Sequence, residues 1–295
     1  MNLIARINEA IVVVALLINI ALTFANTAVR SITGQDMAWV SEVATILIAA
    51  IAFAGAPAYF RRSHGVAYTA VLDMLHGRTK DFVEATGHWM TLGVCALSLS
   101  IFPGFFEKQT HHNFPVLGVS GAYHSGWLGL GLILLTVYCI EKMLRQTKQS
   151  LAMGLLAGIF VAGLAMLLRH SYAVGWVEKD PFLFIIPLLV ATFLTGAPIA
   201  IVLALGGILY FVTTGDAPLV AIAAAYQAGV SSYILLAVPF FMLAGTLMEV
   251  TGMAGRLVAW VREWIGHWTG GLLIAEVVAM YIFSGVSGSK NADSA

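Results

Sequence analysis

The sequence predicts an all-α, polytopic membrane protein with about eight transmembrane helices, interfacial helices and the start of a re-entrant hairpin. Composition is the first reason. Of 295 residues, 60% are hydrophobic and 10% charged, fifteen Lys and Arg against fifteen Asp and Glu, whereas a soluble domain carries about 25% charged residues. The mean hydropathy of +0.90 is the second. The third is the recurrence of apolar runs near the roughly 20 residues that cross a bilayer. A formal net charge of zero excludes a basic nucleic-acid binder, which concentrates Lys and Arg. The two cysteines, Cys95 and Cys139, exclude a disulfide scaffold. Both lie in apolar runs and read as inert small hydrophobes.

Residues 11–29 form the first span. Arg6 precedes it, as in a cleaved signal peptide, but the run exceeds the usual h-region of about 7–15 residues. It also carries Asn19, Thr23, Asn26 and Thr27. These recur at i, i+4, i+7 and i+8, one helical face, which in lipid turns toward other helices that can hydrogen-bond. The second span, 40–60, is entered at Trp39 and ends at Arg61 and Arg62; the third, fourth and fifth cover 88–106, 123–140 and 151–168. With a cytoplasmic N-terminus, Arg6, Arg61, Arg62, Arg78, Lys80, Lys142, Arg145 and Lys148 fall inside, and only Arg30, Lys108, Arg169 and Lys179 outside. The positive-inside rule selects that orientation. Residues 66–83 are too polar to span. Val66, Val71, Leu72 and Leu75 suit an interfacial helix with Arg78 and Lys80 facing lipid phosphates, a plain cytoplasmic loop being the alternative.

The run 182–212 is interrupted by Thr195, Gly196, Ala197 and Pro198, and reads as a kinked or broken helix. Residues 218–232 and 234–250 supply two further spans, which place Arg256 and Arg262 inside. Residues 253–268 read as an interfacial helix, because Trp260, Trp264 and Trp268 repeat at i, i+4 and i+8 beside those arginines.

Gly270 and Gly271 open an apolar run, 272–283, too short to span. It meets Ser284, Gly285, Val286, Ser287, Gly288, Ser289, Lys290, Asn291 and Asp293. This pattern reads as one limb of a re-entrant hairpin, with a polar surface loop as the alternative. Irregular backbone survives at membrane depth only inside protein or against a watery cavity, where its carbonyls and Ser, Asn and Asp oxygens suit a dehydrated Na⁺. Charge there is costly, about 2.5–3.5 kcal/mol on insertion scales. Lys290 has three readings: contact with a substrate carboxylate, pairing with Asp293 or Glu276, or snorkelling to water. Glu276 reads as a structural hydrogen-bonding partner or a proton-coupling group.

Glu42 is expected to pair with a base such as Arg30, and Glu249 to reach the interface. His111, His112 and His124 share one outer segment at a spacing that matches no zinc pattern, so it reads as a solvated loop. His64, His76, His88, His170 and His267 fall near predicted interfaces. No phosphate-binding Gly-rich loop is present, so ATP is not the expected energy source. No nucleophile–base or metal cluster suggests an enzyme.

The stretch Phe283-Ser-Gly-Val-Ser-Gly-Ser-Lys-Asn-Ala-Asp293 resembles the first hairpin of the large membrane subunit of tripartite ATP-independent periplasmic (TRAP) transporters. Gly196-Ala-Pro198, Leu236-Ala-Val-Pro-Phe-Phe-Met-Leu-Ala-Gly245 and Gly266-His-Trp-Thr-Gly-Gly271 are similar to segments leading into that hairpin. The first half resembles the family's four-helix small subunit, through Asn26-x-x-x-Arg30, Trp39-x-x-Glu42 and residues 55–61 with nearby His64. The resemblance implies a small-subunit-like scaffold over 1–149, a connector helix and outer loop over 150–180, and the first part of a large subunit over 181–295.

It further implies a multi-pass permease of the bacterial inner membrane that imports organic acids by Na⁺ coupling and elevator motion. A soluble periplasmic substrate-binding protein would deliver the cargo, docking on outer loops 31–38 and 102–123. Carried over by position, Ser287, Gly288, Ser289, Asn291 and Asp293 are candidates for Na⁺ coordination or tip structure; Lys290 and Glu276 are substrate or charge-pair candidates. No cofactor is implied beyond Na⁺ as coupling ion. The expected partners are the binding protein, the organic acid, membrane lipid and the rest of the large subunit, which in this family runs on into a second repeat. The chain is therefore expected to be a fragment inactive alone, the alternative being a non-transporting membrane interaction protein complete at this length.

Overall fold

The computed structural model describes residues 2–62, 74–75, 77–146, 149, 151–152, 154–156, 158–159, 163, 166, 182–195, 197–215, 218–232, 234–268 and 270–287. Ten helices follow one another among them: α1 (Asn2–Thr33), α2 (Ala38–Arg62), α3 (Arg78–Thr110), α4 (Ala122–Leu144), α5 (Phe182–Leu194), α6 (Ile199–Thr214), α7 (Val220–Val230), α8 (Ile234–Val250), α9 (Met253–Ile265) and α10 (Gly271–Ser287). The protein is all-α and polytopic. Four of the described helices, α1–α4, have the length and apolarity to cross a bilayer, or five spans if α8 and α9 count as one bent unit. The expected count of about eight also takes in the shorter apolar helices and a fifth span that lies largely outside the described residues. In the second half, turns divide the apolar sequence into helices of 11–17 residues.

α1 turns a stripe of Ala5, Asn8, Ala15 and Asn19 inward. Asn8 Nδ2 donates to the Ala54 carbonyl of α2 at 2.9 Å, and Asn26 Oδ1 accepts the Met37 N–H at 2.8 Å, tying the end of α1 to the start of α2. The polar face is inward only in part, since Thr27 is exposed and its hydroxyl donates back to the Thr23 carbonyl. That local bond satisfies the hydroxyl without another helix.

α3 is one continuous helix of 33 residues, so Arg78, Lys80 and Val83 belong to the first turns of a membrane helix rather than to a separate interfacial one. Gly77, at φ +62°, breaks the chain before it; residues 63–73 and 76 lie outside the described residues. α3 and α4 pack side by side. At one end Phe60, Tyr138, Cys139 and Met143 cluster, with both cysteines buried and free. Charge gathers beside this cluster: Glu141 meets Arg145 at 2.7 Å and Arg61 at 3.5 Å, and Lys142 Nζ sits 4.3 Å over the Phe60 ring.

The run 182–212 breaks where expected, but the chain reverses there instead of continuing. Phe182 stacks on Tyr210 with centroids 5.4 Å apart, and Ile185 and Leu188 pack against Leu209. Thus α5 and α6 form an antiparallel hairpin, and Pro198, at the N-terminal boundary of α6, is compatible with a helix start. Its turn seats on α3, where a Cβ on Gly87 would lie 3.3 Å from the Thr195 carbonyl and 3.6 Å from the Ala197 nitrogen. The expected fifth helix is helical at its described positions between 151 and 166. Trp89 Nε1–H donates to the Leu151 carbonyl at 2.9 Å, and a Cβ on Gly154 would come within 2.9 Å of the Ala85 backbone. Between this segment, α3 and α6 lies an apolar cavity of about 360 Å³, lined by residues including Trp89, Gly93, Ile159, Leu205 and Val212.

Candidate functional site

The approach to α10 is assembled by glycines. α8 ends in a turn at Gly252, φ +69°, a left-handed conformation that costs glycine little. The chain then bends by 76° into α9. A second turn closes through Gly270, φ +79°. A side chain on Gly271 would overlap the Ile265 carbonyl and lie 3.0 Å from the Gly266 backbone. α9 and α10 therefore run back against each other, with Val261 against Ala275 and Ala279, flanked by Leu257, Ile265 and Val278. Small residues at i and i+4 are what permits so close a helix pair without bulky interdigitation. On its other side α9 exposes Trp260 and Trp264, their rings 5.8 Å apart, and Trp268 follows in the turn.

α10 has 17 residues, about 25 Å at 1.5 Å per residue, short of the roughly 30 Å hydrocarbon core. The helix does not stop where the apolar run does: Ser284, Gly285, Val286 and Ser287 continue it. At membrane depth a further helical turn pairs backbone groups that an early unwinding would leave bare. Ser287 closes the last described turn. Its side chain, and Gly288, Ser289, Lys290, Asn291 and Asp293, lie outside the described residues. Glu276 sits eleven residues earlier (287 − 276), about 16 Å along the axis, exposed near Leu273 and Val277 on an apolar surface of α10. Among the described residues the Glu276 side chain forms no hydrogen bond or ion pair, and Lys290 and Asp293 lie outside them.

Two expectations change. Glu42 does not pair with Arg30, which meets Asp36 at 3.6 Å. Its two carboxylate oxygens accept the N–H groups of Val116 and Leu117 at 3.0 and 2.8 Å. That clamps the α3–α4 loop, which also carries an Asn113–Ser120 bridge, onto α2. His111 and His112 are exposed as expected, but His124 is not part of a solvated loop. It lies in the first turn of α4, 4% exposed, with Phe114 edge-on at 6.2 Å and Gln227 hydrogen-bonded to its ring. The fourth span expected over 123–140 already contained residue 124, and that reading, not the grouping with His111 and His112, is the one the structure bears out. No group of three metal-ligating side chains occurs among the described residues.

Comparison with known proteins adds to this geometry. Residues 19–149 match the family model for the DctQ component of tripartite ATP-independent periplasmic transporters, and residues 186–295 match that for the DctM component. The C4-dicarboxylate TRAP transporter large permease protein DctM of Rhodobacter capsulatus is 38% identical over 110 residues, 37% of this chain and 25% of that protein. The isethionate TRAP transporter permease protein DctMQ of Oleidesulfovibrio alaskensis is 23% identical over 258 residues, 85% of this chain and 39% of that protein. The sialic acid TRAP transporter permease protein SiaT of Haemophilus influenzae is 23% identical over 281 residues, 90% of this chain and 45% of that protein. The chain thus spans from a quarter to under half the length of these relatives.

Proposed function

We propose a function from the premise that this chain belongs to the TRAP transporter permeases, with a DctQ component followed by a DctM component in one polypeptide. It serves as the membrane part of a Na⁺-coupled importer of organic acids in the bacterial inner membrane, with the N-terminus cytoplasmic. A periplasmic binding protein delivers the acid to the outer loops. Residues 1–149 act as the scaffold, 150–180 as the connector, and 181–295 as the opening part of the large subunit. The single observation that carries the reading is the α9–α10 pair: a helix too short to span, backed by a Gly-turned partner, leads directly into the Ser287–Asp293 tip.

The chemistry of that tip suits the ion. Ser287, Ser289, Asn291 and Asp293 offer hard oxygens, Gly288 frees a carbonyl, and Na⁺ requires such ligands once dehydrated. Moving one Na⁺ across 100 mV supplies about 2.3 kcal/mol, so a few ions drive steep accumulation. Lys290 offers the positive charge a carboxylate substrate needs, and Glu276 a counter-charge on the same limb. An elevator movement is supported by how the helices associate. α7 packs onto α3 and α2, whereas α9 and α10 pack on each other and on α8, which alone of the three meets the first half, against α1 and α2. Membrane lipid is the natural neighbour of the apolar cavity between α3, the connector and α6.

The test is uptake into proteoliposomes holding the full permease, with its binding protein and labelled dicarboxylate, isethionate or sialic acid outside. Uptake should require both an inward Na⁺ gradient and the binding protein. Uptake that persists without the binding protein, or with Na⁺ replaced by choline, overturns the proposal.

A further inference from the structure

We propose that His124, Gln227 and Ser231 form a hydrogen-bonded joint that sets the axial register between the DctQ-type scaffold and the DctM-type helices. This goes beyond the transport reading and holds whatever the cargo.

Elsewhere the core between the two halves is largely apolar, the buried hydroxyls of Ser98 on α3 and Tyr226 on α7 being its other polar groups. Ile101, Phe105 and Leu128 of α3 and α4 share one core with Ile201, Ile222 and Ala223 of α6 and α7. Burial of this kind is non-directional, so it holds helices together without choosing their position along the axis. One turn beyond Ala223, on the same face of α7, stands Gln227, 8% exposed, against the buried His124. The Gln227 Nε2 amide donates to His124 Nδ1. An acceptor at Nδ1 places the ring proton on Nε2, which faces Ser231 Oγ at 3.4 Å. Ser231 Oγ–H in turn donates to the Gln227 carbonyl at 2.8 Å. The chain of donors is closed, and Phe114 covers the ring edge-on.

Sliding α7 by one turn, about 5.4 Å, in one sense carries Gln227 into the place of Ala223 among the core side chains. The opposite slide puts Ala223 before His124. Either leaves a buried polar group unpaired, which is far costlier than the bond itself is favourable. A single polar position in an apolar seam fixes register in coiled coils in the same way. Gln227 Oε1 has no partner among the described residues. That fits a device selected for register at some cost in stability.

Cysteine cross-linking in the full chain, with Cys95→Ala and Cys139→Ala, reads the register directly. A Cβ on Gly104 would lie 3.8 Å from Val220 Cγ2, so Gly104→Cys with Val220→Cys reports the native register. Gly104→Cys with Ala224→Cys reports a one-turn slide. With the joint intact, the first pair should cross-link at least about tenfold more than the second, because an unpaired buried polar group is worth roughly that factor. In His124→Leu/Gln227→Leu the two pairs should cross-link comparably. Ser231→Thr should keep the native preference and Ser231→Val weaken it. Independently, His124→Leu alone should melt below the double variant, since it strands Gln227. A double variant that keeps the native preference, melts below the single variant or aggregates out of the membrane overturns the proposal.

Discussion

Gly131 of α4 lies directly against the carbonyl oxygen of Phe53 in α2, so that a Cβ at position 131 would overlap it. Pro57, four residues on in α2, has no N–H to engage that carbonyl. A bare oxygen and a bare Cα therefore meet at the most extensive contact among the described helices, and glycine is what lets α2 and α4 approach so closely.

Gly131→Ala should lower the melting temperature of the detergent-solubilised protein, because forcing a methyl against backbone costs about 1–3 kcal/mol. Gly126→Ala, on the same helix with nothing within 4 Å of its would-be Cβ, is the control and should melt no lower than the parent, since alanine is the better helix former. Equal melting of both variants would remove the close-contact account.

Removing the clamp on the α3–α4 loop should be visible locally. In Glu42→Ala the amides of Val116 and Leu117 lose a charged acceptor, a bond worth about 1.5–3 kcal/mol. Their hydrogen exchange should then accelerate roughly tenfold or more. Arg30→Ala should leave it unchanged, since Arg30 pairs with Asp36. Faster exchange in the arginine variant instead would point back to a Glu42–Arg30 pair.

At the hairpin tip, Ser287→Ala, Asn291→Ala and Asp293→Ala should each raise the Na⁺ concentration for half-maximal uptake, by roughly tenfold for the loss of one charge-assisted ligand. Cargo binding to the separate soluble protein should not change. An unaltered Na⁺ dependence in all three would take the tip off the ion's path.

α9 should lie at the headgroup level. Single-tryptophan forms retaining Trp260 or Trp264 should be quenched more by lipids brominated near the glycerol than by those brominated at the chain ends, as amphipathic aromatic anchors are. The reverse order would place α9 in the hydrocarbon core.

α1 to α4 were legible because each contains an apolar run of spanning length, and a helix satisfies the backbone of such a run in lipid within the segment itself. The break at 195–198 was legible too, from Gly196 and Pro198. Its outcome was not: whether a chain continues or reverses after a break depends on what receives the turn, here the bare surface at Gly87 of α3. The tip residues were recognisable as a motif, yet the helical state of Ser284–Ser287 ran against their composition.

Readable from the residues alone were the bilayer as this protein's solvent, the helical state of its spans and the boundary that Gly270 and Gly271 set before the last apolar run. Hydrophobic length, period and backbone permissiveness are local properties. Only the tertiary structure decided that Glu42 serves two amides 74 and 75 residues away, and that His124 meets Gln227 across 103 residues. A polar group at membrane depth must find a partner, but the partner is chosen by which helix packing brings within about 3 Å, and no local pattern encodes that choice.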